Sequence, residues 1–272
     1  MTVPERVNLG RALIRVPGTR RRLLDGCYPD RRMRIAVLSD IHSNLVALDA
    51  VLAHAGPVDA VWHLGDVVGY GPDPDGVVAR LVEVGAIGVL GNHDAAALGG
   101  PEIAWFNPDA RSAAAWTRDR ISGTTAAWLT AQPVTRIVEG FSLVLGSLRD
   151  PLREYVTTPE IARANLDYLT TTYGFHGHTH VPVAFVERGA RIALVRAVDA
   201  SSLPLSRDRA LVNPGSVGQP RDGDPRASYA TLDTVAPSIS WHRVAYDVSA
   251  VQALMHVAGL PPRLAERLAF GM

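Results

Sequence analysis

The pattern of apolar and polar positions changes character at Met33. Residues 1–32 hold no sustained alternation, only scattered Pro and Gly and the run Arg20-Arg21-Arg22. Met33-Arg34-Ile35-Ala36-Val37-Leu38-Ser39 then reads as a buried strand over Ile35–Leu38. A helical stretch, Leu45–His54, precedes a second strand at Ala60–Leu64. Asp73-Pro74 offers an N-cap with Pro at the first helical position, which predicts a helix to about Val84. Ile87–Leu90 reads as a third strand. Strands alternating with helices in this way form a parallel sheet with right-handed crossovers.

Asn107-Pro108 caps another helix through about Ile121, and a shorter one covers Thr125–Ala131. Val134–Val138 and Phe141–Leu145 flank the hairpin pair Glu139-Gly140. A helix near Pro159–Leu169 leads to the strand Tyr173–His176. The remainder is mostly β: Val183–Glu187, Arg191–Val195, Ala227–Leu232 and Ile239–Val244, closed by helices Ser249–Ala258 and Pro262–Phe270. With no repeat and no linker, residues 33–272 are expected to form a single α/β domain.

Composition narrows the class. The 272 residues are 47% hydrophobic and 20% charged, the balance of an ordinary globular protein. No apolar run is long enough to cross a bilayer, the start lacks a signal-peptide pattern, and the lone Cys27 cannot form an internal disulfide. A cytoplasmic protein without membrane contact is the expectation. The 27 basic residues are all Arg, which with abundant Ala, Gly and Pro fits GC-rich codon usage. Residues 1–32 hold 8 Arg and 3 acidic side chains, leaving 19 basic and 24 acidic in the rest. That mildly acidic body argues against stable nucleic-acid binding. The leader reads either as a flexible basic arm or as an upstream start codon taken for the beginning. Met33, placed where a compact domain would start, favours the second.

Metal-capable groups come after each of the three parallel strands: Asp40 and His42, then Asp66, then Asn92, His93 and Asp94. The intervals from 40 to 66 and from 66 to 92 are both 26 residues, one strand–helix unit each. Equal units bring the loops side by side at the carboxyl edge of the sheet, where open α/β folds bind ligands. A later strand leads into His176-Gly177-His178-Thr179-His180, so five of the nine histidines fall in strand-end loops. Alone, Asp-x-His and Gly-Asp are ordinary turn sequences, and a His-x-His pair can be merely solvated. Their ordered conjunction is what specifies a metal site. Oxygen and imidazole donors without thiolate suit Mn²⁺ above all, with Fe or Zn²⁺ as alternatives. A carboxylate such as Asp66, between two other ligand loops, can bridge two cations.

These residues identify a family. Asp40-x-His42, Gly65-Asp66, Gly91-Asn92-His93-Asp94 and Gly177-His178-Thr179-His180 resemble, in order, the calcineurin-like metallophosphoesterases. Ser39-Asp40-Ile41-His42-Ser43-Asn44, Gly146-Ser147-Leu148-Arg149-Asp150-Pro151 and the stretch from Asn213 to Arg221 resemble the small bacterial phosphodiesterase branch. The resemblance implies a four-layer αββα sandwich, two facing β-sheets flanked by helices. It implies a first metal held by Asp40, His42, Asp66 and His180, and a second held by Asp66, Asn92 and His178. It further implies that His93 protonates the leaving oxygen while Asp94 fixes its ring. Asn44 and Arg221 are weaker candidates for substrate contact, because both could simply brace loops. The implied substrate is a small phosphate ester, most readily a nucleotide or cyclic-nucleotide diester attacked by hydroxide generated at the metal.

One ligand departs from the pattern. The family's fourth motif is a strand ending in His-Gly, and here Leu145-Gly146 stands there. One tight and one weaker cation are therefore expected. His176 is the candidate substitute if the strand extends far enough to put it on the face of His178, though a core role is the commoner fate of such a residue. Trp105, Trp116 and Trp128 read as helix packing, with an aromatic wall beside the substrate as the other reading. His54, His63, His242 and His256 read as packing or surface residues without partners. Two other functions compete: a phosphomonoesterase or protein phosphatase, and a binding scaffold that lost turnover. Protein phosphatases of this family carry Arg just before Gly-Asn-His, where this chain has Leu90, which tilts the reading to diesters. Oligomeric state is not legible.

Overall fold

The structure is a computed structural model that describes residues 33–234 and 236–272. The leader over residues 1–32 lies outside the described residues. The first half runs β1 (Arg34–Leu38), α1 (Leu45–Ala55), β2 (Ala60–His63), α2 (Pro74–Glu83), β3 (Ile87–Gly88) and α3 (Asn92–Ala97). A 3-10 turn over Pro101–Trp105 leads to α4 (Pro108–Arg118) and α5 (Gly123–Thr130). Next come β4 (Thr135–Val138), β5 (Phe141–Val144), α6 (Pro159–Leu166), β6 (Tyr173–Phe175), β7 (Val183–Arg188) and β8 (Arg191–Arg196). The chain closes with β9 (Ser202–Pro204), β10 (Ala210–Asn213), β11 (Ala227–Asp233), β12 (Ser238–Val244), α7 (Val248–Val257), α8 (Pro262–Glu266) and a 3-10 turn over Arg267–Phe270.

The continuous apolar run of β1 has a structural cause. Ile35 and Val37 pack with Trp62, Phe141 and Phe175 between two sheets, while Ala36 and Leu38 pack with Leu48 and Val51 of α1 and Leu81 of α2. A strand covered on both faces has no polar face to show. Likewise Ala184 and Val186 of β7 point to the inter-sheet core, and Val183 and Phe185 meet Ala162 and Leu166 of α6. Helix, sheet, sheet, helix is the resulting layering.

One sheet has the order β3-β2-β1-β11-β12-β9 and the other β4-β5-β6-β10-β7-β8. β1, β2 and β3 are parallel, as expected, and β11 joins β1 antiparallel, so both sheets are mixed. The loops of the two sheets are stitched together at one edge. Val217 and Gly218 donate backbone N–H bonds to the carbonyls of Ser39 and Asp40 across the two sheets, while Gly177 donates to that of Leu145 within the second sheet.

Several expected boundaries move. β6 stops at Phe175, so the alternation that would set His176 and His178 on one face does not run that far. The closing helix is α-helical only to Glu266. α3, β9 and β10 go beyond the elements that the sequence pattern predicts. α3 opens with three polar residues that read as loop, yet every residue of it is buried. β10 is a four-residue strand held on both sides by β6 and β7, a tertiary effect that no local period signals.

Candidate metal centre

Asp40, His42, Asp66 and His180 are all buried and bring one ligand atom each within 4.8 Å of one another. The tautomers of the two imidazoles are set by their surroundings. His42 Nδ1 lies 3.2 Å from the Val68 carbonyl and His180 Nδ1 2.6 Å from the Gln219 carbonyl. A carbonyl only accepts, so each Nδ1 carries the proton and each Nε2 presents a lone pair. The two Nε2 atoms face each other at 3.2 Å, and His180 Nε2 is 3.2 Å from Asp40 Oδ1. Asp66 Oδ2 is buried, without a hydrogen-bond partner, and 3.7 Å from His42 Nε2. Two bare nitrogens and two carboxylates turned on one dry point repel one another unless a cation lies among them. The donor set fits a divalent ion of the Mn, Fe or Zn class.

Backbone conformation agrees. Asp40, His42, Asp66, His178 and His180 all adopt positive φ, between 49° and 67°. Left-handed backbone costs a non-glycine residue about 1–3 kcal/mol, and such residues gather where function requires the geometry. Gly177 permits the approach: a Cβ there would collide with Ser39 Oγ and Asp40 Oδ2.

Electrostatics carry the same signature. Burial raises Asp66 well above the usual carboxylate range, and repulsion from Asp40 and Asp94 adds to it. Burial also opposes ionisation of Asp40, but His180 and a 2.6 Å bond from Ser39 Oγ outweigh it and leave its pKa lowered. Burial holds His42 and His180 below the ordinary imidazole value, so both remain neutral donors.

The second position is less complete. Asn92 Oδ1 is buried without a partner, as a carbonyl donor awaiting a cation would be. His178 hands one ring nitrogen to the Arg153 carbonyl and stacks on Tyr155, centroids 3.8 Å apart. Leu145 is fully buried at the end of β5. His176 Nδ1 lies 3.4 Å from Asn213 Nδ2, and its ring leans on Phe185 at 6.4 Å. The four-residue group extends neither to His176 nor to His178.

His93 stands beside the group. Its ring stacks on Phe106 and meets the tilted ring of Tyr70, both at 4.3 Å, and meets His42 edge-on at 4.9 Å. The expectation that Asp94 fixes this ring is not what the structure contains. Asp94 Oδ1 accepts from the Val68 N–H and Oδ2 from the Gly91 N–H, both at 2.9 Å, while His93 Nδ1 is buried without a partner. Asp94 ties the Asp66 loop to the start of α3, and the ring is held by its aromatic neighbours. Asn44 is corrected too. Its Oδ1 caps α1 at Ala47 N and its Nδ2 donates to the Gly218 carbonyl, so it braces loops. Arg221 differs: Nη2 donates to Gln219 Oε1 at 2.7 Å, yet Nε is buried and unpartnered and no carboxylate pairs with it among the described residues. Its charge bears on His42, His93, His178 and His180.

Residues that sequence reasoning passes over lie on the loops around the centre. Tyr70, Phe106, Arg153 and Tyr155 belong to no periodic element, and only the fold brings them to His93 and His178. Trp116 and Trp128 do pack as expected, through a 2.8 Å bond from Trp116 Nε1 to the Ala258 carbonyl and a Trp128–His63 contact. His54 and His242 have partners after all, Tyr229 Oη and Thr231 Oγ1, both at 2.9 Å.

The loop carrying Arg153 and Tyr155 is anchored by Glu154. Arg149 donates to both of its carboxylate oxygens, and Ser147 Oγ and Asn165 Nδ2 donate at 2.6 and 2.8 Å. Burial pushes the carboxyl up, but these bonds prevail and set its pKa at about 2, below the ordinary 4.5. The stabilisation is thus complete above about pH 4.5 and lost as pH falls toward 2. Glu154→Gln is expected to cost on the order of 1–3 kcal/mol at pH 7, toward the lower end because the site is partly solvated. Urea melts at stepped pH should show the gap between variant and parent closing below pH 4.5; a constant gap would exclude an ionic anchor.

Two facing mixed sheets with outer helices, and a buried His/Asp group at their shared loop edge, define the metallophosphoesterase class. The profile of the calcineurin-like phosphoesterase superfamily domain matches residues 33–236, and the chain belongs to that superfamily. It is 34% identical over 249 residues to an uncharacterized protein of Methanocaldococcus jannaschii, covering 87% of this chain and 98% of that one. A crystal structure of a metallophosphoesterase from Sphaerobacter thermophilus superposes with a TM-score of 0.82 at 43% identity, covering 89% of this chain and 100% of that one. A hypothetical protein of Pyrococcus horikoshii shares the fold, with a TM-score of 0.73 at 17% identity over 88% and 98% of the two chains. Family and donor set together support use of divalent metal and action on phosphate esters. Among the described residues no helix is long and apolar enough to cross a membrane.

Proposed function

We propose that the chain hydrolyses phosphodiesters of small nucleotides, with Mn²⁺ the preferred metal and one cation held more tightly than a second. The observation that carries this reading is the convergence of Asp40, His42, Asp66 and His180 on one buried point, with the charge of Arg221, whose Nε has no acceptor, bearing on it. When bound, the cation polarises the phosphoryl group and activates water. The chain's own residues do the rest. Arg221 grips a non-bridging phosphate oxygen, and the anionic substrate favours the imidazolium form of His93, which burial disfavours in its absence, so that His93 can deliver a proton to the departing oxygen. A diester presents one negative charge where a monoester presents up to two. Leu90, in place of the arginine of the protein phosphatases, supports the less charged substrate.

The test is a panel of diesters and monoesters assayed across Mn²⁺, Fe²⁺ and Zn²⁺. Diesters are expected to turn over at least about tenfold faster, and Arg221→Ala to raise KM by about tenfold or more, the scale of one charge-assisted bond. Faster monoester turnover would favour a phosphatase. Silence with every metal would favour the scaffold reading, which Leu145 alone supports.

A further inference from the structure

Two large aromatic side chains at the mouth of the centre remain about half exposed, Trp105 at 47% and Tyr155 at 46%. Single exposed aromatics are common on protein surfaces. These two are linked to the centre through different residues. Phe106, next to Trp105, stacks on His93, and Tyr155 stacks on His178 with an interplanar angle of 16°. Between them Arg153 lays its guanidinium 3.6 Å from the centre of the Trp105 ring, while its carbonyl receives His178. Ring contacts, together with the chain link from Phe106 to Trp105, therefore connect His93 through Trp105, Arg153 and His178 to Tyr155.

Charge strengthens the case. Neither Arg153 nor Arg221 has a carboxylate partner among the described residues, whereas Arg149, one turn of the same loop away, is fully engaged by Glu154. Arg153 lies on the Trp105 ring and Arg221 keeps a buried Nε without an acceptor, and such cations beside exposed aromatic rings suit a ligand that is both anionic and planar. The rigid anchor at Glu154 holds the Tyr155 ring ready, so little freedom is lost when a second ring stacks on it.

We infer that Trp105, Arg153 and Tyr155 form a nucleobase subsite, with the base of the ester stacking on the exposed aromatic faces while its phosphate reaches the centre. This rests on the phosphodiesterase reading for its substrate but not for its measurement. The subsite makes the enzyme select nucleoside esters over esters of simple sugars or alkyl alcohols.

The experiment compares calorimetric binding of AMP and ribose 5-phosphate to the full chain in saturating Mn²⁺. The two ligands share sugar and phosphate and differ only in the base. AMP is expected to bind about 5–100-fold tighter, the range that base–aromatic stacking supplies. Tyr155→Leu and Trp105→Leu should each reduce that ratio severalfold, and Tyr155→Phe, which keeps the ring, should preserve it. Equal affinity for the two ligands, or an unchanged ratio in both leucine variants, would overturn the inference. Both positions are half exposed, and melting curves check that the variants fold. Should no diester turn over with any metal, the functional proposal fails, yet the binding ratio still decides the subsite.

Discussion

Replacing His93 with alanine is expected to slow hydrolysis of diesters with poor leaving groups by ~10²–10⁴-fold, the usual contribution of a positioned proton donor. The expectation rests on where the ring is held. Phe106 and Tyr70 hold it between them, His42 meets its edge, and its own backbone N–H donates to Asp66 Oδ1 at 2.9 Å. The ring thus lies against the centre through His42, and its buried Nδ1 has no hydrogen-bond partner. A nitrophenyl leaving group scarcely needs a proton, so its loss should be much smaller. His93→Gln, which refills the space between the two rings, separates chemistry from packing. Equal losses on both substrates in both variants would assign His93 to holding the metal loop, since the backbone bond to Asp66 lies in that same segment.

The legible part of the centre is the part written in strand-to-strand spacing. Asp40, Asp66 and Asn92 recur at one interval because each strand–helix unit has the same length, and parallel pairing turns equal lengths into neighbouring loops. Asp94 shows where such reasoning stops. Its nearness to His93 in sequence suggests a pair, but its carboxylate bonds Val68 N, 26 residues away, and Gly91 N. Backbone donors carry no sequence signature, so a buried carboxylate that closes a loop is indistinguishable from one that orients an imidazole. Asn44 repeats the lesson, its amide spent on α1 and on Gly218. The fold class is readable from alternating periods, whereas β10 is not, since three apolar residues and Asn213 acquire strand identity only from β6 and β7 on either side. The Tyr155–His178 stack joins segments whose adjacency nothing local encodes.

Leu145→His is expected to tighten binding of a second cation and to lower the metal concentration needed for half-maximal activity. Leu145 follows directly on β5, its carbonyl accepting from Gly177 N at 2.7 Å beside the His178 loop. A nitrogen there would join Asn92 Oδ1, Asp66 Oδ2 and His178, two of which are buried oxygens without partners. Losing even a hydrogen-bond partner behind a ligand weakens metal binding by ~10–100-fold, so gaining a ligand should strengthen it by at least that much. In the parent, calorimetric titration with Mn²⁺ should resolve close to one tight site, held by Asp40, His42, Asp66 and His180; in the variant it should resolve two. Burying an imidazole that failed to reach the cation would cost ~1–3 kcal/mol, so a drop in melting temperature without metal that Mn²⁺ reverses is the second signature. Two tight cations in the parent, with no gain in the variant, would mean that another donor completes the site. His176 would then be the first to replace, because its Nε2 is buried and has no hydrogen-bond partner.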